Sequence, residues 1–203
     1  LDEELFALLL VLSVVIISLK NHSEFSLSQI SATIGMPIII SFAFSSLAGV
    51  YLRENGLFYL LLLLNFSSCC DCGAYFTGVA IGKHKLCPEI SPKKTIEGFI
   101  GGMISTAVVF VACFAVYNNM IAYSPMKEDI SSYIAVAVTG LLCAVIGTVG
   151  DLSASMIKRQ IGFKDYGKIM PGHGGLMDRL DRVLFVLPTF YCLLTIANNL
   201  NLL

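Results

Sequence analysis

Charge is what this 203-residue chain has least of. Only 13% of its residues are Asp, Glu, Lys or Arg, against 56% hydrophobic, and the mean hydropathy is +0.81. That balance disfavours a soluble all-α protein, even one with a very apolar core. The apolar stretches are nearly free of charge for about 20 residues at a time, the length that crosses a ~30 Å hydrocarbon layer. They lack the alternation over about ten residues that membrane-barrel strands need, which leaves helices as the spanning element. The seven cysteines lack metal-site spacing, with no paired CxxC and no Cys/His arrangement. Cys69, Cys70 and Cys72 crowd within one apolar run, Cys113, Cys143 and Cys192 stand singly in others, and Cys87 lies in a loop. They read as small hydrophobes rather than as zinc ligands or disulfides. No basic segment with a small-residue cleavage site marks a signal peptide, and no repeat, Ser/Gly linker or low-complexity tract divides the chain. It begins at Leu1 rather than Met, with Asp2, Glu3 and Glu4 ahead of the first apolar run, and is expected to lack upstream sequence.

What is present is six apolar runs, at 5–19, 30–52, 57–81, 98–117, 130–150 and 183–203. The expected fold is therefore all-α: a polytopic membrane protein of about six transmembrane helices with two charged cytoplasmic loops. The first run is short, and a tilted, interfacial or truncated helix stays open for it. Residues 1–56 are read as N-terminal transmembrane helices and residues 57–203 as the membrane domain that carries the chemistry. Orientation follows from the cations. The segments around 81–97 and 151–182, with Lys20, hold eleven of the thirteen Lys and Arg residues, leaving Arg53 and Lys127 on the other side. That asymmetry assigns the charged loops to the cytoplasm and both termini to the outside. The net charge of −1 hides it by averaging over the two faces.

Three places stand out against the apolar background. Asp71 lies well inside the third run, where a carboxylate at depth costs ~2.5–3.5 kcal/mol on insertion scales and so calls for a polar cavity, a cation or a partner. Gly73, Gly78 and Gly82 follow it, and small residues let helices or ligands approach closely. Next, 82–102 combines Lys83, His84, Lys85, Lys93 and Lys94 with Pro88 and Pro92, which make a long helix there unfavourable. Thr95 is placed to cap the following helix, with Glu97 in its first turn. A polyanion near Lys93, Lys94 and that helix start would gain charge attraction and backbone donors. Gly98 and Gly102 form a GxxxG, most simply a packing face.

The third place is the densest, SMIKRQIGFKDYGKIMPGHGGLMDRLD at 155–181. If the fifth helix continues beyond Gly150, then Asp151, Ser155 and Arg159 share one stripe with Lys158 beside them. An acid, a hydroxyl and two cations on one face suit a phosphate held together with a divalent metal; a mutual ion-pair network is the alternative. Asp178 and Asp181 are three apart and share a face at the start of the last helix. A purely basic patch would suit lipid headgroups alone. This mixture of Lys, Arg and Asp suits anionic phosphates plus Mg²⁺, which prefers one or two carboxylates and phosphate oxygens.

Together these residues resemble the phosphatidate cytidylyltransferases, also called CDP-diacylglycerol synthases. The resemblance rests on Ser155, Lys158-Arg159, Lys164-Asp165, His173-Gly174-Gly175 and Asp178-Arg179-Leu180-Asp181, with Gly150-Asp151-Leu152 upstream. An earlier block joins it: Asp71-Cys72-Gly73-Ala74-Tyr75, then Gly82-Lys83-His84-Lys85-Leu86 and Ile90-Ser91-Pro92-Lys93-Lys94-Thr95. It runs from about Leu57 to the end, with a shorter N-terminal part than is usual. Met170, Ile96, Cys72 and Arg182 depart from residues common in the family, and none of them removes a polar group the chemistry needs.

The resemblance implies transfer of the cytidylyl group of CTP to phosphatidic acid, giving CDP-diacylglycerol and pyrophosphate, with no protein nucleophile. It implies Mg²⁺, a second metal ion being left open, with Asp71, Asp151, Asp178 and Asp181 as ligands. Asp151, Asp178, Lys94, Lys158 and Arg159 are the implied catalytic set; Lys83, Lys93, Ser155, His173, Gly174, Gly175 and Arg179 the implied substrate contacts. It also implies a bacterial plasma-membrane enzyme with a cytoplasmic site, a homodimer, and no nucleic-acid partner. A CTP-dependent enzyme acting on an archaeal-type lipid or a polyprenol, an inactive paralogue, and an ion transporter using Asp71 are the competing readings.

Overall fold

The computed structural model describes residues 3–20, 27–121, 129–161, 177–200 and 202, with the side chains of a few further helical positions left aside. Six helices dominate: α1 (Glu3–Lys20), α2 (Leu27–Tyr51), α3 (Gly56–Ile81), α4 (Ile96–Val116), α5 (Ile130–Ile161) and α6 (Met177–Asn199). Among the described residues five of them, all but α1, are long and apolar enough to span a membrane. The helical membrane architecture expected from composition is the one found. One element adds to it: strands β1 (Lys85–Cys87) and β2 (Ser91–Thr95) pair antiparallel as a small hairpin between α3 and α4.

Residues 1–45 and 46–203 form two compact units. The first consists of α1 and most of α2, with apolar side chains such as Leu8, Leu12 and Ile16 exposed along α1. The second holds everything that bears on function. Its core is aromatic: Phe66, Phe110 and Phe190 are fully buried, with rings edge-to-face at 6.3 and 6.4 Å. Outward-facing Leu57, Leu61 and Leu64 on α3, and Ile100, Ile104 and Val108 on α4, are exposed at helical spacing. On a water-soluble protein such stripes would be an aggregation surface; on a membrane helix they face lipid.

The helix starts are explained locally. A side chain at Gly56 would run into the carbonyls of Tyr51 and Val50, so only glycine lets α3 leave the tight turn behind Asn55, whose φ is 58°. Thr95 caps α4 as the sequence leads one to expect, its hydroxyl accepting the Gly98 N–H at 3.1 Å. Proline at 88 and 92 sits in the hairpin rather than in a helix. Glu97 ties that hairpin to α4, accepting the His84 backbone N–H at 3.2 Å and lying 2.7 Å from its ring Nδ1.

Helices α3 and α4 meet through small residues. A Cβ on Gly98 would stand 2.7 Å from the Ala74 carbonyl oxygen, and one on Gly102 would stand 3.0 Å from that of Cys70. The Gly98–Gly102 pair is thus a packing face, and Ser105 adds a cross-helix bond to the Cys69 carbonyl at 3.1 Å. Gly98→Leu should therefore wedge the two helices apart and destabilise the fold by about 1–3 kcal/mol, as overpacking does. A lower thermal midpoint for the purified variant in detergent checks this.

Candidate active site

Four elements deliver charged side chains to one place. Asp71 comes from α3, ten residues or roughly 15 Å before its end, and Asp151 comes from α5 at the same distance from that helix's end. Lys94 arrives on β2 and Arg182 from the second turn of α6. The Arg182 guanidinium joins the two acids, with Nη1 at 2.6 Å from Asp71 Oδ1 and Nη2 at 3.2 Å from Asp151 Oδ2. Lys94 Nζ pairs with the same Asp151 oxygen. Two carboxylates separated by eighty residues of sequence are thus joined by one guanidinium, with a lysine on the second of them.

All of these groups but Asp151 border a cavity of about 500 Å³, within the range of small-molecule sites. Asp71, Lys85, Lys93, Lys94 and Arg182 line it, with Thr95, Gly98 and Gly78 forming backbone-rich wall. Exposure sorts their roles. The Arg182 side chain is only 10% exposed, whereas that of Asp71 is 61% exposed and keeps an open face toward the cavity. Both cationic partners of Asp151 hydrogen-bond its Oδ2. The room for Arg182 comes from α5: a Cβ on Gly147 would stand 2.9 Å from the arginine Cγ, so glycine there lets the arginine stem pass.

Of the residues singled out in the sequence, Asp71, Asp151, Lys93 and Lys94 converge here. Helix α5 does run past Gly150 to Ile161, and it carries Ser155, half-buried, and Arg159, exposed, on the stripe leading away from Asp151. Lys158, two turns beyond Asp151, lies 3.8 Å from Asp181. Asp181 is buried and outside the cavity lining, accepting the Arg182 backbone N–H at 2.7 Å. Lys83 is exposed and stands outside the cavity lining. Asp178 and Arg179 occupy the first turn of α6, and their side chains fall outside the described set; His173, Gly174 and Gly175, with Lys164 and Asp165, lie outside the described residues.

Two site residues were not legible beforehand. In the sequence Lys85 groups with its neighbouring cations and carries no site role, yet it lines the cavity; Arg182 counts among the cations and departs from a common small residue, yet it is the hub of the cluster. The available signal was a cation placed at the mouth of an apolar helix, where an unpaired charge is costly and a partner is to be expected.

The carboxylate pair can be weighed as a magnesium site from its own chemistry. Among the described residues no three His, Cys, Asp or Glu side chains gather into an all-protein cage. A hard carboxylate open to a lysine-bordered cavity, with a second one joined to it through Arg182, does fit Mg²⁺, which takes one or two protein carboxylates and completes its shell from phosphate and water.

Comparison with known proteins places the chain in a family. A family model described as the cytidylyltransferase family matches residues 3–197. A phosphatidate cytidylyltransferase of Bacillus subtilis (strain 168) is 38% identical over 193 residues, covering 95% of this chain and 67% of the relative. Phosphatidate cytidylyltransferases of Staphylococcus haemolyticus and Staphylococcus aureus (strain COL) are each 43% identical, over 70% of this chain and 51% of their own length. The chain thus spans between about half and two thirds of these relatives.

Proposed function

The chain belongs to the cytidylyltransferase family, and on that premise we propose that it transfers the cytidylyl group of CTP to phosphatidic acid, releasing pyrophosphate and giving CDP-diacylglycerol. It is an integral membrane protein; the bacterial plasma membrane, with the charged helix ends at the cytoplasmic face, is the setting proposed for it. The observation that carries the reading is the meeting of Asp71, Lys94 and Arg182 on one lysine-bordered cavity, with Asp151 ion-paired to both cations.

In the proposed reaction an oxygen of the lipid phosphate attacks the α-phosphorus of CTP. The new P–O bond forms as the bond to the β-phosphate oxygen breaks, and the electron pair leaves on pyrophosphate. No side chain needs to act as a nucleophile. The difficulty is bringing two polyanions together, so positioning and fixed positive charge supply the catalysis. Lys85, Lys93 and Lys94 would hold phosphate oxygens from the hairpin side of the cavity. Asp71 and Asp151 would hold Mg²⁺, with Asp178 and Asp181 as further ligands implied by the family motif; when bound, Mg²⁺ supplies charge neutralisation and leaving-group stabilisation. Lys158, Arg159, Arg179, Ser155 and the 173–175 segment remain proposed substrate contacts. The apolar stripes of α3 and α4 let acyl chains stay in lipid while the headgroup enters the cavity. A homodimer is proposed on family grounds.

Purified protein supplied with CTP, Mg²⁺ and either phosphatidate, an archaeal-type ether lipid or a polyprenol tests the substrate assignment. Pyrophosphate release and a CDP-lipid are expected with phosphatidate. Turnover with another lipid in its place would reassign the acceptor.

A further inference from the structure

We propose that Arg182 is a resident cation of the aspartate pair, permanently filling a position between Asp71 and Asp151 that a further metal ion would otherwise take. The inference rests on the proposed role of those aspartates as magnesium ligands. Three observations carry it. The guanidinium bridges the two carboxylates, at 2.6 Å from one and 3.2 Å from the other, as a bridging cation would. Its side chain is only 10% exposed, and Gly147 on α5 leaves space for its stem, so it is built in rather than draped over the surface. With Lys94 on Asp151, the four described side chains sum to zero charge: two acids, two bases.

The consequence is electrostatic. A charge-balanced cluster attracts a second divalent ion weakly, whereas a neutral residue at 182 takes away the cation that bridges the two carboxylates, leaving Asp151 with Lys94 and Asp71 without the ion pair it makes here. A carboxylate pair of that kind recruits a hard cation. Arg182 is in this sense a positioning residue: it fixes Asp71 against Asp151 and limits how many metal ions they hold, without itself needing to touch substrate.

The test counts metal ions rather than turnover. Mn²⁺ bound to the purified full chain is measured by the loss of the free-ion electron paramagnetic resonance signal, for the wild type and for Arg182→Gln, Arg182→Ser and Arg182→Lys. The Gln and Ser variants are expected to bind about one more Mn²⁺ per chain than the wild type, and the Lys variant the wild-type number. Gln retains much of the stem beside Gly147, so it stands in should the Ser variant fail to fold. An unchanged or lower count in a monodisperse neutral variant overturns the proposal. Failure of the wild type to make CDP-diacylglycerol would sink the functional reading instead, and the count does not depend on that result.

Discussion

Replacing Asp151 by asparagine is expected to lower CDP-diacylglycerol formation roughly a thousandfold, the scale on which loss of an essential electrostatic element acts. The change keeps side-chain volume and removes only the charge. It would leave Lys94 and Arg182, both now bound to Asp151, with one fewer anion between them and would take away half of the carboxylate pair. Membrane insertion should be unaffected, because the lipid-facing stripes of α3 and α4 are remote from the change in sequence and kind. The check is kcat and KM at limiting Mg²⁺ alongside the elution profile of the purified variant. Activity within tenfold of wild type would remove Asp151 from the ligand set.

Lys94→Ala is expected to cost roughly a hundredfold in kcat/KM, comparable to deleting one preorganised donor at a developing charge. Lys94 has two tasks in the proposed site. It pairs with Asp151, and it lines the cavity beside Lys93, where phosphate oxygens would enter. Alanine loses both, while Arg182 keeps Asp151 paired, so the protein should still fold. Steady-state kinetics with each substrate varied in turn measures the loss; an unchanged kcat/KM for both would show that the hairpin lysine is a surface charge and nothing more.

How far the sequence reached depends on which force set each element. Hydrophobic length fixed the helices, and because spanning segments must satisfy their own backbone, the boundaries of α1 to α4 were legible to within a few residues, whereas α5 runs on to Ile161 and α6 begins already at Met177, both beyond the apolar runs. Asp71 was legible for the same reason: a single carboxylate inside an apolar run has few explanations. The Thr95 cap and the extension of α5 past Gly150 also followed from local rules. The hairpin did not. Its strands are three and five residues long and without an alternating apolar face, and what holds them lies beyond their own sequence: Glu97 on the His84 backbone and the Ile96 N–H donating to the His84 carbonyl at 2.9 Å. Arg182 was hidden for a similar reason. Its meaning lies in a glycine thirty-five positions upstream and an aspartate on a third helix, neither of which spacing along the chain can reveal.

The central claim is that this cluster carries cytidylyl transfer from CTP to a lipid phosphate, and the position of a radioactive label decides it most directly. Protein reconstituted with phosphatidate and Mg²⁺ is given CTP labelled at either the α- or the γ-phosphorus. The account predicts α-label in the lipid fraction and γ-label in pyrophosphate, with both transfers lost in Asp151→Asn. Label from the γ-position appearing in lipid, or α-label transferred equally well by the Asp151 variant, would contradict it.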